Sequence, residues 1–260
     1  MARRADGAKP IRERQVPAVA RAIAILRLLG RSDVPLGVNA IARELGLVPS
    51  TCLHILRVLV GEELASFDPE TKRYQLDAGI LSVARGVLRR NSLSQIVQPG
   101  LDRVAKRYGI TTNAVRAVGL DHGTVVAISK AGQALHIHVD IGSRFPALLS
   151  ATGRCIAAFG QHDWDEIERR FATLRWDRPP SFRAWRAQVE ETRRKGYGVD
   201  AGDYISGVTI IGAPMMKASR VSHVIIGVGL TEQLKPSTLA ALGKDLIAVA
   251  AEASQRLEGN

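Results

Sequence analysis

The residues of this 260-residue chain that could do chemistry begin with a run of polar side chains on one helical face. From about Pro49 to Glu62, Cys52, Ile55, Leu56 and Leu59 recur at i, i+3, i+4 and i+7, the spacing of a buried stripe. The other side of that helix carries Ser50, Thr51, His54 and Arg57. Short hydroxyls, an imidazole and a guanidinium set out this way suit phosphate oxygens and base edges. Two more cations, Lys72 and Arg73, follow at a turn, where they could grip a phosphate backbone or a minor groove. A small helical subdomain with a solvated polar face would show the same residue types, so the surrounding elements must decide.

Those elements form a pattern. Val19, Ala22, Ile23, Leu26 and Leu29 lie at helical spacing within 16–30, with Pro17 tolerable in the first turn. Val38, Ile41, Ala42 and Leu45 make a second short helix, which Gly46 ends. After the third helix come two short strand-like pieces, LASF and RYQL, joined by the turn Asp68-Pro69-Glu70-Thr71-Lys72. Three helices, a tight connection and a hairpin describe a winged helix-turn-helix, whose third helix enters the major groove of double-stranded DNA. Charge agrees: residues 1–90 hold 15 basic and 9 acidic side chains, against 21 and 16 over the longer remainder.

Composition narrows the class further. Hydrophobic residues are 46% and charged residues 23%, which excludes global disorder. Two cysteines, Cys52 and Cys155, cannot build a disulfide framework and fit a reducing cytoplasm. No apolar run approaches the roughly 20 residues of a membrane-spanning helix, so no membrane partner is expected. Residues 1–15 read as a flexible basic tail. No nucleophile elbow, phosphate-binding loop or His-Glu-x-x-His motif is present, and Gly227-Val228-Gly229 lacks the third glycine of a dinucleotide site. The chain is therefore not read as an enzyme, and no cofactor is expected.

The second half changes character. A linker helix over 77–92 carries Ile80, Leu81, Ala84, Val87 and Leu88, and a helix over 93–108 should kink or break at Pro99-Gly100. Strand-like segments follow at 114–120, 125–129, 135–141, 207–214 and 222–230. Helices are expected from Ser150 onward, over 163–173, 182–195 and 237–257. This is an α+β domain with a mostly antiparallel sheet. His136 and His138 share one strand face, but no Cys or second carboxylate lies nearby to complete a zinc set, so no metal site is assigned.

At this point the run GLVPSTCLHILRVLVGEELASFDPETKRYQLDAGILSVARGVL resembles the winged helix-turn-helix and linker of IclR-type transcriptional regulators. GSRFPALLSATGRCIAAF, RRKGYGVDAGDYISGVTIIGAPM and VIIGVGL resemble their second domain, so the likeness spans about residues 16–258. It implies a winged helix-turn-helix over 16–76, a linker helix over 77–92 and a GAF-like effector-binding domain over 93–258. It also implies a homodimer or dimer of dimers. Two departures bear on DNA contact: Pro49 replaces the usual basic residue before Ser-Thr, and Leu53-His54 replaces a frequent His-Arg pair.

The resemblance also implies where a small-molecule effector would sit. The helix opening Ser150-Ala151-Thr152-Gly153 would hold its carboxylate, because a helix N-terminus offers free N–H groups. Asp200, Ile210, Gly227 and Gly229 would line the same pocket. Glycines where several members carry Ser-x-Ser would open space for a bulkier, flatter acid. Tight helix–sheet packing is the alternative use for these small residues. The function implied is a ligand-responsive regulator, a repressor of a catabolic operon released by a small carboxylate or aromatic acid. The alternative is a metabolic enzyme or a sensor without DNA, using the second domain's pocket alone.

Overall fold

The computed structural model describes residues 16–90, 92–130, 140–218 and 220–258. The tail 1–15, the pair His136 and His138 and most of the expected strand 135–141 lie outside the described residues. The chain divides into two compact units, residues 1–90 and 91–260.

The first unit runs α1 (Pro17–Leu29), β1 (Leu36–Gly37), α2 (Val38–Leu45), α3 (Pro49–Gly61), β2 (Ala65–Asp68), β3 (Arg73–Leu76) and α4 (Gly79–Arg90). Cys52, Leu56 and Leu59 of α3 are buried against Ile25 and Leu29 of α1 and Ile41 and Ala42 of α2. Gly46 takes φ +62, and the Leu47 N–H reaches back to the Ala42 carbonyl at 2.8 Å. That left-handed cap is what turns the chain from α2 into α3. In α1 the inward side differs in part from expectation: Leu29 is buried as expected and Ile25 with it, while Val19 and Ile23 stay exposed. Apolar residues go round more than one side of α1, so spacing alone could not choose its inner face.

The wing has a strand more than the hairpin. β3 lies between β1 and β2, antiparallel to both, and Asp68 pairs with Arg73 at the tip. Asp68 organises the turn by accepting the Glu70 N–H at 2.9 Å and the Thr71 hydroxyl at 2.6 Å. Those two bonds, Thr71's first, hold the Asp68 carboxyl below its ordinary range.

The second unit is a six-stranded antiparallel sheet in the order β6-β5-β4-β9-β8-β7. Its strands are β4 (Thr111–Val118), β5 (His122–Ile128), β6 (Arg144–Pro146), β7 (Gly198–Ala201), β8 (Val208–Lys217) and β9 (Arg220–Leu230). The central ones are long and rich in Val and Ile, as strands covered on both faces require. On one face lie α5 (Ser92–Tyr108) and α9 (Pro236–Glu258), whose Leu101, Leu242, Leu246 and Val249 build the main core with Ile211 and Ile225. On the other face lies α6 (Ser150–Phe159). Outside it, α7 (Trp164–Phe171) and α8 (Phe182–Lys195) form a satellite core around Trp185.

Three expectations change here. α5 runs unbroken through Pro99, because packing on α9 and β4 outweighs the one lost helical bond. Gly100 serves that packing: a Cβ there would lie 2.7 Å from Val249 Cγ1. The short β6 and β7 were not foreseen, since neither is long enough to show an alternation. Strand β4 starts earlier than expected, at the polar residues Thr111, Thr112 and Asn113, all buried.

Candidate functional site

In the second unit, a cavity of about 240 Å³ lies between the sheet and the start of α6. Val115, Val125, Ile210, Ile226 and Val228 form its sheet wall, with Phe145 of β6 beside them, and Tyr204 and Ile205 close it from the loop after β7. Ser150 and Thr152 stand at the helix end, Asn113 in the wall, and Ser143 and Arg144 beside β6. The alternation of antiparallel strands explains this set. Asn113 pairs with Ile226 and Ile210 with Val228, and directly paired residues share a face.

The helix end is built for close approach. Gly153 must be glycine, since a Cβ there would lie 2.0 Å from the Leu148 carbonyl oxygen. Ser150 takes φ +55, a left-handed backbone that a residue with a Cβ rarely adopts. The first main-chain N–H to find a helical acceptor is that of Gly153, bonding Leu149 O at 2.9 Å. The N–H groups before it belong to the first turn, at the positive dipole end, where no main-chain carbonyl of the helix can accept them; that of Thr152 donates to the Ser150 hydroxyl at 3.5 Å. The phenol of Tyr204 is held above its ordinary pKa, mainly by burial, so it is a hydroxyl donor at neutral pH.

Next to the cavity lies a buried ion network. Arg154, fully buried in α6, donates to Asp200 at 3.0 Å, to Asp203 at 2.6 Å and to Gln188 at 2.7 Å. The other Asp200 oxygen accepts the N–H groups of Gly202, Asp203 and Tyr204. The pair thus shapes the loop that brings Tyr204 and Ile205 to the cavity.

In the first unit, α3 presents Ser50, His54 and Arg57 to solvent, with Thr51 half-buried at its start. Lys72 is exposed at the wing tip with φ +54. Arg73 is exposed too, and its guanidinium donates to the Pro35 carbonyl at 3.3 Å, which ties it to the root of β1.

The model of the IclR helix-turn-helix domain matches residues 18–69, and that of the bacterial transcriptional regulator IclR C-terminal region matches residues 85–255. The chain belongs to the IclR family. The glycerol operon regulatory protein of Streptomyces griseus is 28% identical over 227 residues, 86% of this chain and 88% of the relative. The structure of an IclR transcriptional regulator from Alicyclobacillus acidocaldarius superposes with a TM-score of 0.80 at 27% identity, covering 93% of this chain and 98% of that one. An IclR homolog from Microbacterium hydrocarbonoxydans, solved with 4-hydroxybenzoate, shares the fold: TM-score 0.75, 18% identity, 94% and 100% covered. This chain is an IclR-type transcriptional regulator with a helix-turn-helix domain and an effector-binding domain.

For this IclR-type regulator the structure sorts the six residues assigned to an effector. Thr152 and Ile210 line the cavity. Gly227 and Gly229 do not. They lie on the opposite face of β9, where a Cβ would meet Ile110 at 3.0 Å and 2.8 Å respectively. Their neighbours Ile226 and Val228 face the cavity instead, a one-residue shift that reverses every side chain. Asp200 shares a face with Ile210, its β8 partner, but its oxygens are taken by Arg154 and three main-chain N–H groups, so it is a loop anchor. The Ala151 side chain packs on the sheet, its Cβ 3.5 Å from where a Gly212 Cβ would sit.

Asn113, Tyr204 and Arg154 were missed. Arg154 had a legible signal, a lone cation in a run of small residues that must find carboxylates when buried. Cys155 is inert: buried, donating to Gly212 O at 3.2 Å, its thiol pushed up to about 12 by burial. Among the described residues no cluster of three or more His, Cys, Asp or Glu could hold a metal ion. No single described helix is long and apolar enough to cross a membrane.

Proposed function

We propose that this regulator represses transcription from a pseudo-palindromic operator, which it binds as a two-fold homodimer, and releases it when a small, flat carboxylate fills the second unit's cavity. The domains assigned are 16–76 for DNA, 77–92 as linker and 93–258 for the effector. The observation carrying the reading is the cavity itself: the first turn of α6, with its positive dipole end, at one end and a wall of Val and Ile beyond. That pairing suits an anionic head on an apolar body. The acid held by the Microbacterium homolog has this character. Repression is preferred because it asks only that the operator be occupied, whereas activation needs a further polymerase-contacting surface.

Ser50, Thr51, His54 and Arg57 would meet the major groove, and Lys72 and Arg73 the flanking backbone. Dimerisation is supported by exposed apolar side chains that a lone winged domain leaves unburied: Val16 at the cap of α1, Val19 and Ile23 on α1, and Leu81 and Val83 on α4. The effector then acts through different affinities for two arrangements of the DNA-binding domains.

A gel shift on the DNA upstream of the gene, with and without acids found by thermal shift, tests the reading. Operator binding that a stabilising carboxylate reverses supports it. DNA binding that no acid alters, or acid binding by a protein that never binds DNA, counts against it. Lys72→Ala should weaken binding on operator and random DNA alike and lower the salt slope by about one counterion.

A further inference from the structure

Among the described residues, three buried side-chain polar atoms have no hydrogen-bond partner: Asn113 Oδ1 and the indole nitrogens of Trp176 and Trp185. Both indoles sit in the aromatic cluster around Phe171, whereas Asn113 lines the cavity. Asn113 is 2% exposed on β4, and its paired neighbours are Ile226 on one side and Ile128 on the other. A polar amide set into a Val and Ile wall is unfavourable unless something pairs with it, and nearly all such groups in folded proteins are paired. Among the described residues nothing pairs with its Oδ1.

We infer that Asn113 determines effector specificity by hydrogen-bonding a hydroxyl on the effector's ring, so that the cavity takes a hydroxylated small aromatic acid in preference to an unsubstituted one. This rests on the carboxylate reading of the cavity given above. A ligand that fills the cavity strips water from Asn113, and one with no polar group there leaves the amide bare. A hydroxyl restores the bond whichever way the amide is turned, donating to Oδ1 or accepting from Nδ2. Fluorine, close to hydroxyl in size, has no hydrogen to donate to Oδ1.

The test uses the full-length protein and calorimetric titration with benzoate, the three hydroxybenzoates and the three fluorobenzoates. At least one hydroxybenzoate should bind wild type roughly tenfold or more tightly than benzoate and its own fluoro counterpart. In Asn113→Leu, similar in bulk, that preference should vanish while benzoate binds at least as well. If Asn113→Leu does not fold, the hydroxyl–fluoro comparison on wild type decides alone. Equal binding of benzoate, hydroxy and fluoro acids to wild type, or a preference that survives Asn113→Leu, overturns the inference and leaves the carboxylate reading intact. Binding of none of these acids overturns both.

Discussion

The two faces of β9 are made by alternate residues of one strand, yet they serve opposite ends. Towards α5 and α9, Gly227 and Gly229 sit so close to Ile110, Ile211 and Leu234 that a single added carbon would crowd them. Towards α6, the larger Ile226 and Val228 border empty space. Small residues therefore mark the full face and large ones the open face, the reverse of reading glycines as room for a ligand. On the full face α9 packs along the strands, whereas on the other face Ala151 of α6 meets the sheet and the cavity opens beside that contact.

The largest expected effect lies where the open face is sealed. Asp200→Ala would leave Arg154 buried beside Asp203 and Gln188 with its charge poorly balanced, and should cost about 3–5 kcal/mol in urea unfolding. It should also weaken acid binding, because the Tyr204 loop loses its anchor; a loss below about 1 kcal/mol would make the network dispensable. Gly229→Ser comes next. It overpacks the full face against Ile110 and Leu234, so stability should fall by about 1–3 kcal/mol while the affinity of a bound acid holds. Weakened ligand binding without loss of stability would return Gly229 to the pocket and reverse the comparison.

His223 tests the full face by pH. It shares the parity of Gly227 and Gly229, and its imidazole is pushed down to about 4, by burial first and then by Arg116 and Lys217. The unfolded chain takes up this proton near its ordinary value of about 6.5, so the group costs stability progressively as pH falls from there towards 4. Between pH 7 and 5 the loss should be at most about 2 kcal/mol, and His223→Asn should flatten that part of the stability curve. The smallest effect belongs to Val228→Thr on the open face. The hydroxyl can face the cavity, so stability should drop by about 1 kcal/mol or less while aromatic-acid affinity shifts several-fold. A Val228→Thr protein with unchanged ligand affinity would argue that the wall is not a contact surface.

Much of the DNA-binding unit was legible because its signals are local. The α3 stripe, the Gly46 cap and the Asp-Pro turn each lie within a few residues and reappear in the structure as read. The exception was α1, whose apolar residues point both inward and outward. Less of the second unit's cavity was legible. Thr152 and Ile210 do line the cavity, and the helix opening at Ser150 was visible as a run of small residues. Asn113 was not visible, since one Asn in a strand carries no sign of what faces it.

By itself the sequence determined the order of the helices and the longer strands, the winged helix-turn-helix and the antiparallel class of the second domain, because periodicity, caps and turn residues act over short spans. It also carried the family likeness, since motifs survive in linear order. Only the tertiary structure decided which side of β9 meets the cavity, that Asp200 pairs with Arg154 and that no described residue bonds Asn113 Oδ1. Each of these depends on residues far apart in the chain, where a one-residue change of register exchanges a wall for a core.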